Sequence, residues 1–169
     1  MLLDYVDAVN EHTLIVEDPQ NGPTLAFVTT CQHHDIVAFS KFLHVFSLAT
    51  SNNHRTSGAN DMLRGLDPTL TNNNLNEIIT KFKKNNAIVI LAGMLSPESM
   101  GPDYQSAFDG IYPELSKKHN LIFMPFLLEG VALEKELLLA DYKHPNAKGI
   151  DVIAANLNPY IVEAISRLK

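Results

Sequence analysis

The apolar residues change period repeatedly from Thr71 onward, and that alternation constrains the fold more than any other feature of the chain. Leu75, Ile78, Ile79 and Phe82 recur at three and four residues, the spacing of one helical face. They lead into the unbroken apolar run Ala87-Ile-Val-Ile-Leu-Ala92, which reads as a buried strand. Tyr104, Phe108, Ile111, Tyr112 and Leu115 line a second helical face, followed by a short run at Leu121-Ile-Phe-Met124 that Pro125 should end. A last helical pattern runs through Ile150, Ile153, Ala154, Leu157, Ile161, Ala164, Ile165 and Leu168, and Pro159 should kink or divide it. Helix and strand in alternation imply a parallel sheet covered by helices, an α/β architecture.

Residues 1 to 56 are different. Apolar tetrads occur at Thr13-Leu-Ile-Val16 and Leu25-Ala-Phe-Val28, but no strand, glycine turn and helix follow one another. The stretches from Thr29 to Asp35 and from Thr50 to Ser57, rich in Asn, His, Thr and Ser, read as loops. Neither half contains an internal repeat.

With 169 residues, 46% of them hydrophobic, the chain suits one globular domain with a real core. A formal charge of -6 without any dense Lys/Arg run gives no footprint for nucleic acid or an anionic membrane. The single cysteine, Cys31, cannot form an internal disulfide, so the redox compartment stays open. No apolar run approaches the roughly 18 residues of a spanning helix, so stable membrane insertion is not expected. The acidic opening Met-Leu-Leu-Asp-Tyr-Val-Asp is unlike a secretion signal, which needs a basic start and an apolar stretch.

Three local patterns could carry chemistry. In Gly58-Ala-Asn60-Asp61 a glycine permits close backbone approach, and an Asn two residues later can offer its amide N–H to an oxyanion. The plainer alternative is an Asx turn that caps a helix. In Asp141-Tyr-Lys-His144-Pro-Asn146 a carboxylate and an imidazole sit three residues apart before a helix. One tight loop can then supply a general base and the group that fixes its tautomer. Taken alone, the pair is equally what surface acids and histidines produce by chance. Leu91-Ala-Gly-Met94 is a strand running into a glycine turn, at the end of an open sheet where ligands gather.

In this order, these residues resemble the SGNH (GDSL-type) hydrolase family, most closely its bacterial arylesterase and acyl-CoA thioesterase branch. Gly58-Ala-Asn-Asp61 with Leu63-Arg-Gly-Leu66 resembles the family's Gly-x-Asn-Asp block, and Asp141-Tyr-Lys-His144-Pro its Asp-x-x-His-Pro block. Ile111-Tyr-Pro-Glu-Leu115, Pro125-Phe-Leu-Leu-Glu-Gly-Val-Ala132 and Asn146-Ala-Lys-Gly149 continue the likeness, which covers residues 57 to 169. The resemblance implies a three-layer α/β/α sandwich, incomplete at its amino-terminal side. It also implies Ser-His-Asp acyl-enzyme chemistry on a small acyl ester or thioester, with no cofactor. By position, His144 would be the general base, Asp141 would orient it, Asn60 would donate to the oxyanion, and Gly58 would give the turn beside Asn60. At Tyr142 and Lys143 the chain departs from the family's usual Gly-Ile.

The family's nucleophile lies in an amino-terminal Gly-Asp-Ser block that cannot be matched here. Ser40, Ser47, Ser51 and Ser57 are the available hydroxyls, and none sits in a strand followed by a glycine turn. Cys31-Gln-His33-His34-Asp35 has zinc-binding residue types but no second ligand cluster, so no metal is expected. A shift of reading frame before Gly58 would produce so abrupt a join. If Asn52 to Thr56 are encoded AAC AAT CAT CGA ACT, reading one base later gives Thr-Ile-Ile-Glu-Leu, the strand the family expects there. Residues 1 to 56 are on this view irregular or weakly packed. Translating the upstream DNA in the other frames tests the idea, and finding no Gly-Asp-Ser in any of them rejects it.

Two outcomes follow for function. The resemblance implies an ester or thioester hydrolase by descent, impaired because its serine block is missing; a carbohydrate acetylesterase fits less well with the wording Ala-Gly-Met and Leu-Leu-Glu-Gly. The alternative is a non-catalytic truncated product, pseudoenzyme or binding module of the same fold. The residues leave oligomeric state open. Localisation stays open: the opening residues carry no secretion signal and read as cytoplasmic, while the family's members often enter the periplasm.

Overall fold

The computed structural model describes residues 13–16, 25–28, 58–84 and 86–167. The strands are β1 (Thr13–Val16), β2 (Leu25–Val28), β3 (Ile88–Ala92) and β4 (Ile122–Met124). The helices are α1 (Ala59–Leu63), α2 (Pro68–Lys84), α3 (Pro102–Asp109), α4 (Ile111–His119) and α5 (Ala147–Ser166), with tighter single turns at Glu98–Met100 and Lys135–Leu137.

Helix α2 forms where the periodicity predicts one. Proline occupies its first position, where a missing N–H costs nothing, and the Asp67 carboxylate accepts the Thr69 N–H at 2.8 Å. That backbone bond holds the Asp67 carboxyl below its ordinary range. Thr71, Leu75, Ile79 and Phe82 form the buried stripe, while Lys81, Lys83 and Lys84 crowd the last turn, where the helix dipole favours cations.

The second predicted helix is two helices, and its sequence explains the break. Pro113 has no N–H to give the carbonyl of Asp109, and Gly110 stands at the junction as the cap of α4. The apolar face still runs across both pieces, because Gly110 keeps helical dihedrals (φ -70°, ψ -23°). Phe108 and Tyr112 therefore meet edge to face, with ring centroids 5.7 Å apart. Pro159, by contrast, does not divide α5, which is continuous from Ala147 to Ser166. Ala155, whose carbonyl loses its donor, and Pro159 itself are both exposed, so water can replace the missing bond, while Ile153, Leu157 and Ala164 anchor the helix inside.

The sheet order is β1-β2-β3-β4. β2 pairs parallel with β3, Leu25 opposite Ile88, and β3 pairs parallel with β4, Ile90 opposite Ile122. β1 is antiparallel to β2, so the sheet is parallel except at that edge. The apolar tetrads of the first half are thus strands. The expectation of an irregular segment does not hold at these eight residues, and the inner edge of β3 is paired by Leu25–Val28. Ser40, Ser47, Ser51, Ser57 and the Cys31 to Asp35 cluster lie outside the described residues, as does Leu168.

Side chains of β3 alternate between two cores. Val89 and Leu91 pack with Leu75, Ile79, Phe108, Tyr112 and Leu115, whereas Ile90 and Ala92 pack with Ile122, Met124, Ile153 and Leu157. Helices α2, α3 and α4 therefore cover one face and α5 the other, the three-layer arrangement the sequence implies.

Candidate active site

The loop from Glu134 to Asn146 is folded by its own hydrogen bonds and pinned to the start of α5. Asn146 caps that helix: its side-chain oxygen accepts the N–H groups of Lys148 (2.9 Å) and Gly149 (3.2 Å). The same side chain donates through Nδ2 to the carbonyls of Glu136 (2.8 Å) and Leu138 (3.1 Å), which ties the loop back over the helix start. Gly149 is required for this closeness, since a Cβ there would lie 2.3 Å from the Leu137 carbonyl oxygen. Asn146 was legible as part of a motif, but its anchoring of the loop needed the folded contacts.

Within the loop, Asp141 and His144 meet. Asp141 Oδ1 accepts the backbone N–H groups of Lys143 (3.0 Å) and His144 (3.1 Å), and Oδ2 lies 2.5 Å from His144 Nδ1. The imidazole contact, followed by those two backbone bonds, holds the Asp141 carboxyl well below the usual carboxylate range. It is therefore ionised at neutral pH and can only accept, so Nδ1 is the donor, and the neutral imidazole in this pose has its lone pair on Nε2. Since folding depresses this pKa, the contact's contribution to stability is complete above the unfolded carboxyl's range. It is lost as pH falls through the folded value.

Tyr142 takes the left-handed backbone conformation (φ 56°) that lets the acid and base face each other. A glycine adopts this without cost, whereas a side chain costs about 1 kcal/mol. Tyr142 thus adopts a conformation in which glycine would be unstrained. Its ring is exposed, with Lys135 Nζ 6.0 Å from the ring centroid. Tyr142→Gly is expected to melt about 3 °C above Tyr142→Ala, because both lose the ring and only glycine relieves the strain. Equal melting temperatures by circular dichroism would contradict strain at this position.

Gly58 and Asn60 occupy the other candidate block. Gly58 precedes α1 with φ 108° and ψ -124°, a conformation open to glycine, and Asn60 follows half-buried in the first turn. Asp61, to which the sequence gave no separate role, is a buried acid at 1% exposure. Only its burial distinguishes it, and no local pattern reports that.

Topology relates the two blocks to the sheet. The segment after β4 packs against the start of α5, where Val131 Cγ1 stands 3.1 Å from the Cβ position of Gly149. The Asp141–His144 loop lies between that segment and α5 along the chain. Met62 of α1 shares a core cluster with Met94, two residues past the carboxyl end of β3.

No family model matches the chain. The thioesterase 1/protease 1/lysophospholipase L1 of Escherichia coli K12 is 34% identical over 108 residues, which are 62% of this chain and 52% of that protein. An arylesterase of Vibrio mimicus is 32% identical over 110 residues, 65% of this chain and 51% of its own. The crystal structure of TesA superposes with a TM-score of 0.58 at 32% identity, covering 62% of this chain and 58% of that one. The matched part of the chain is similar to thioesterases and arylesterases of the SGNH (GDSL-type) hydrolase kind. The chain spans about half the length of the curated relatives it matches. Its parallel strands and flanking helices are part of the α/β fold of the SGNH esterases. Among the described residues no helix is long and apolar enough to cross a membrane.

Proposed function

We propose that this chain carries the base and oxyanion half of an ester or thioester hydrolase. The observation that carries the reading is the 2.5 Å contact between Asp141 and His144 in a loop clamped to the start of α5. In such a site His144 Nε2 takes the proton of an attacking hydroxyl, then returns it to the departing alcohol or thiol. Asp141 stabilises the imidazolium that forms between these steps. Asn60 donates its side-chain amide to the oxygen that becomes negative as the carbonyl carbon turns tetrahedral. Gly58 lets the backbone turn tightly beside it. The substrates named for the relatives, aryl esters and lysophospholipids among them, point to a small acyl ester or thioester for this chain.

A second reading is favoured by a specific observation: no Gly-Asp-Ser occurs anywhere in the 169 residues. On that reading the chain is a non-catalytic member of the fold that keeps the crevice without turnover. Hydrolysis of p-nitrophenyl acetate by the purified chain separates the two. Turnover that falls about a hundredfold or more in Asn60→Ala supports the enzyme. Wild-type protein no faster than buffer supports the non-catalytic form.

A further inference from the structure

We infer that Asp61 is a positioning residue that fixes the Asn60 amide by tying its turn to the core helix α2 through Thr71. The inference rests on the proposed role of Asn60 at the oxyanion. A buried carboxylate is costly unless donors meet it, so its presence at 1% exposure on a five-residue helix calls for a reason. So short a helix gains little from its own hydrogen bonds, and a smaller polar residue would cap it at lower cost.

The contacts of Asp61 supply the reason. Its Oδ2 accepts the Gly58 N–H at 3.2 Å and the Thr71 hydroxyl at 2.9 Å. The first bond closes the backbone from Gly58 to Asp61, with Asn60 inside the closed segment. The Met62 N–H donates to the Gly58 carbonyl at 3.0 Å and locks the same turn from the other side. The second bond leads out of the turn to Thr71, which is fully buried in the stripe of α2 that packs on β3. Farther along, the Tyr104 hydroxyl donates to the Leu66 carbonyl at 2.8 Å and holds the exit of the loop between α1 and α2. Asn60 is thereby referenced to the sheet rather than to a surface loop. A donor that stabilises developing charge must be held before that charge appears, since reorganising it during the reaction forfeits the gain. Asp61 itself, with its side chain buried against Gly58 and Thr71, has no contact with the reacting atoms to make.

The test uses the full 169-residue chain labelled with ¹⁵N, with the Asn60 side-chain amide pair assigned by its loss in Asn60→Ala. In Thr71→Val, which deletes the hydroxyl at constant shape, the Asn60 pair is expected to move toward the shifts of a freely rotating amide. The kcat for p-nitrophenyl acetate falls about tenfold while KM changes less than about twofold. Asp61→Asn gives the same two changes and serves as the second reading if valine is not accommodated. Thr71→Ser restores both. Thr80→Val removes another hydroxyl of α2, one bonded to the Asn76 carbonyl at 2.7 Å, and leaves the Asn60 pair in place. An Asn60 pair unmoved in both Thr71→Val and Asp61→Asn overturns the inference. Absence of turnover in the wild-type chain, or an unaltered rate in Asn60→Ala, refutes instead the catalytic role of Asn60, and the amide signals still decide whether Asp61 positions it.

Discussion

Gly93→Ala is expected to destabilise the protein by more than about 3 kcal/mol, lowering its melting temperature by roughly 10 °C. A Cβ at this position would lie 2.1 Å from the carbonyl oxygen of Pro125 and 3.0 Å from its carbonyl carbon. Both are backbone atoms, so no rotamer change relieves the clash, and β3 and β4 must separate at their carboxyl ends. That separation breaks two short bonds, from the Gly93 N–H to the Met124 carbonyl (2.7 Å) and from the Leu127 N–H to the Gly93 carbonyl (3.0 Å). It also disturbs Leu91, Ala92 and Met124, which close-packed interiors do not tolerate. Gly65→Ala is the comparison: a Cβ there meets nothing within 4 Å, although φ is +66°, so only backbone strain of about 1 kcal/mol is expected. Thermal unfolding of the two variants by circular dichroism checks the difference. A Gly93→Ala protein that melts with the wild type would show that the strands approach less closely than described.

His144→Ala should reduce hydrolysis of p-nitrophenyl acetate by at least about a hundredfold, the usual worth of a positioned base. Asp141→Asn should lose a similar factor, because an amide can donate to Nδ1 and so favour the tautomer whose Nε2 bears the proton. The pH profile offers a sharper test. Asp141 is held well below the ordinary carboxylate range by its contacts with His144 and Lys143, so it stays ionised through the acid side of any working range. No loss of kcat/KM from protonation of Asp141 is then expected until the pH falls below the ordinary carboxylate range, and a loss of that kind above it would contradict the contact with His144. A rate that survives both substitutions would assign the hydrolysis to a different site or a contaminant.

The extent to which these features are readable from sequence differs by element. The buried stripe of α2 and the run of β3 are local patterns, so Leu75, Ile79 and Phe82 announce their face, and Ile88 to Ala92 their burial, without any knowledge of partners. The Asp141 and His144 pair is equally local, being three residues apart in one turn. The division between α3 and α4 was available in Pro113 and Gly110, but the continuous apolar face from Tyr104 to Leu115 outweighed it. Pro159 misled in the opposite direction, since tertiary packing by Ile153, Leu157 and Ala164 holds α5 together across it. The pairing of Leu25–Val28 with β3 depends on a partner more than sixty residues away, and so no period within the tetrad could specify it.

By itself, the sequence determined the order of helices and strands after Thr71, the apolar faces they bury, and the loop in which acid meets base. Each of these rests on contacts within a few residues along the chain, where spacing alone decides which side chains can meet. Only the tertiary structure decided that Gly93 must lack a side chain, that Tyr142 takes a glycine's conformation, and that Asp61 is buried against Thr71. These depend on how closely distant segments pack, a quantity set by the whole core rather than by any window of residues.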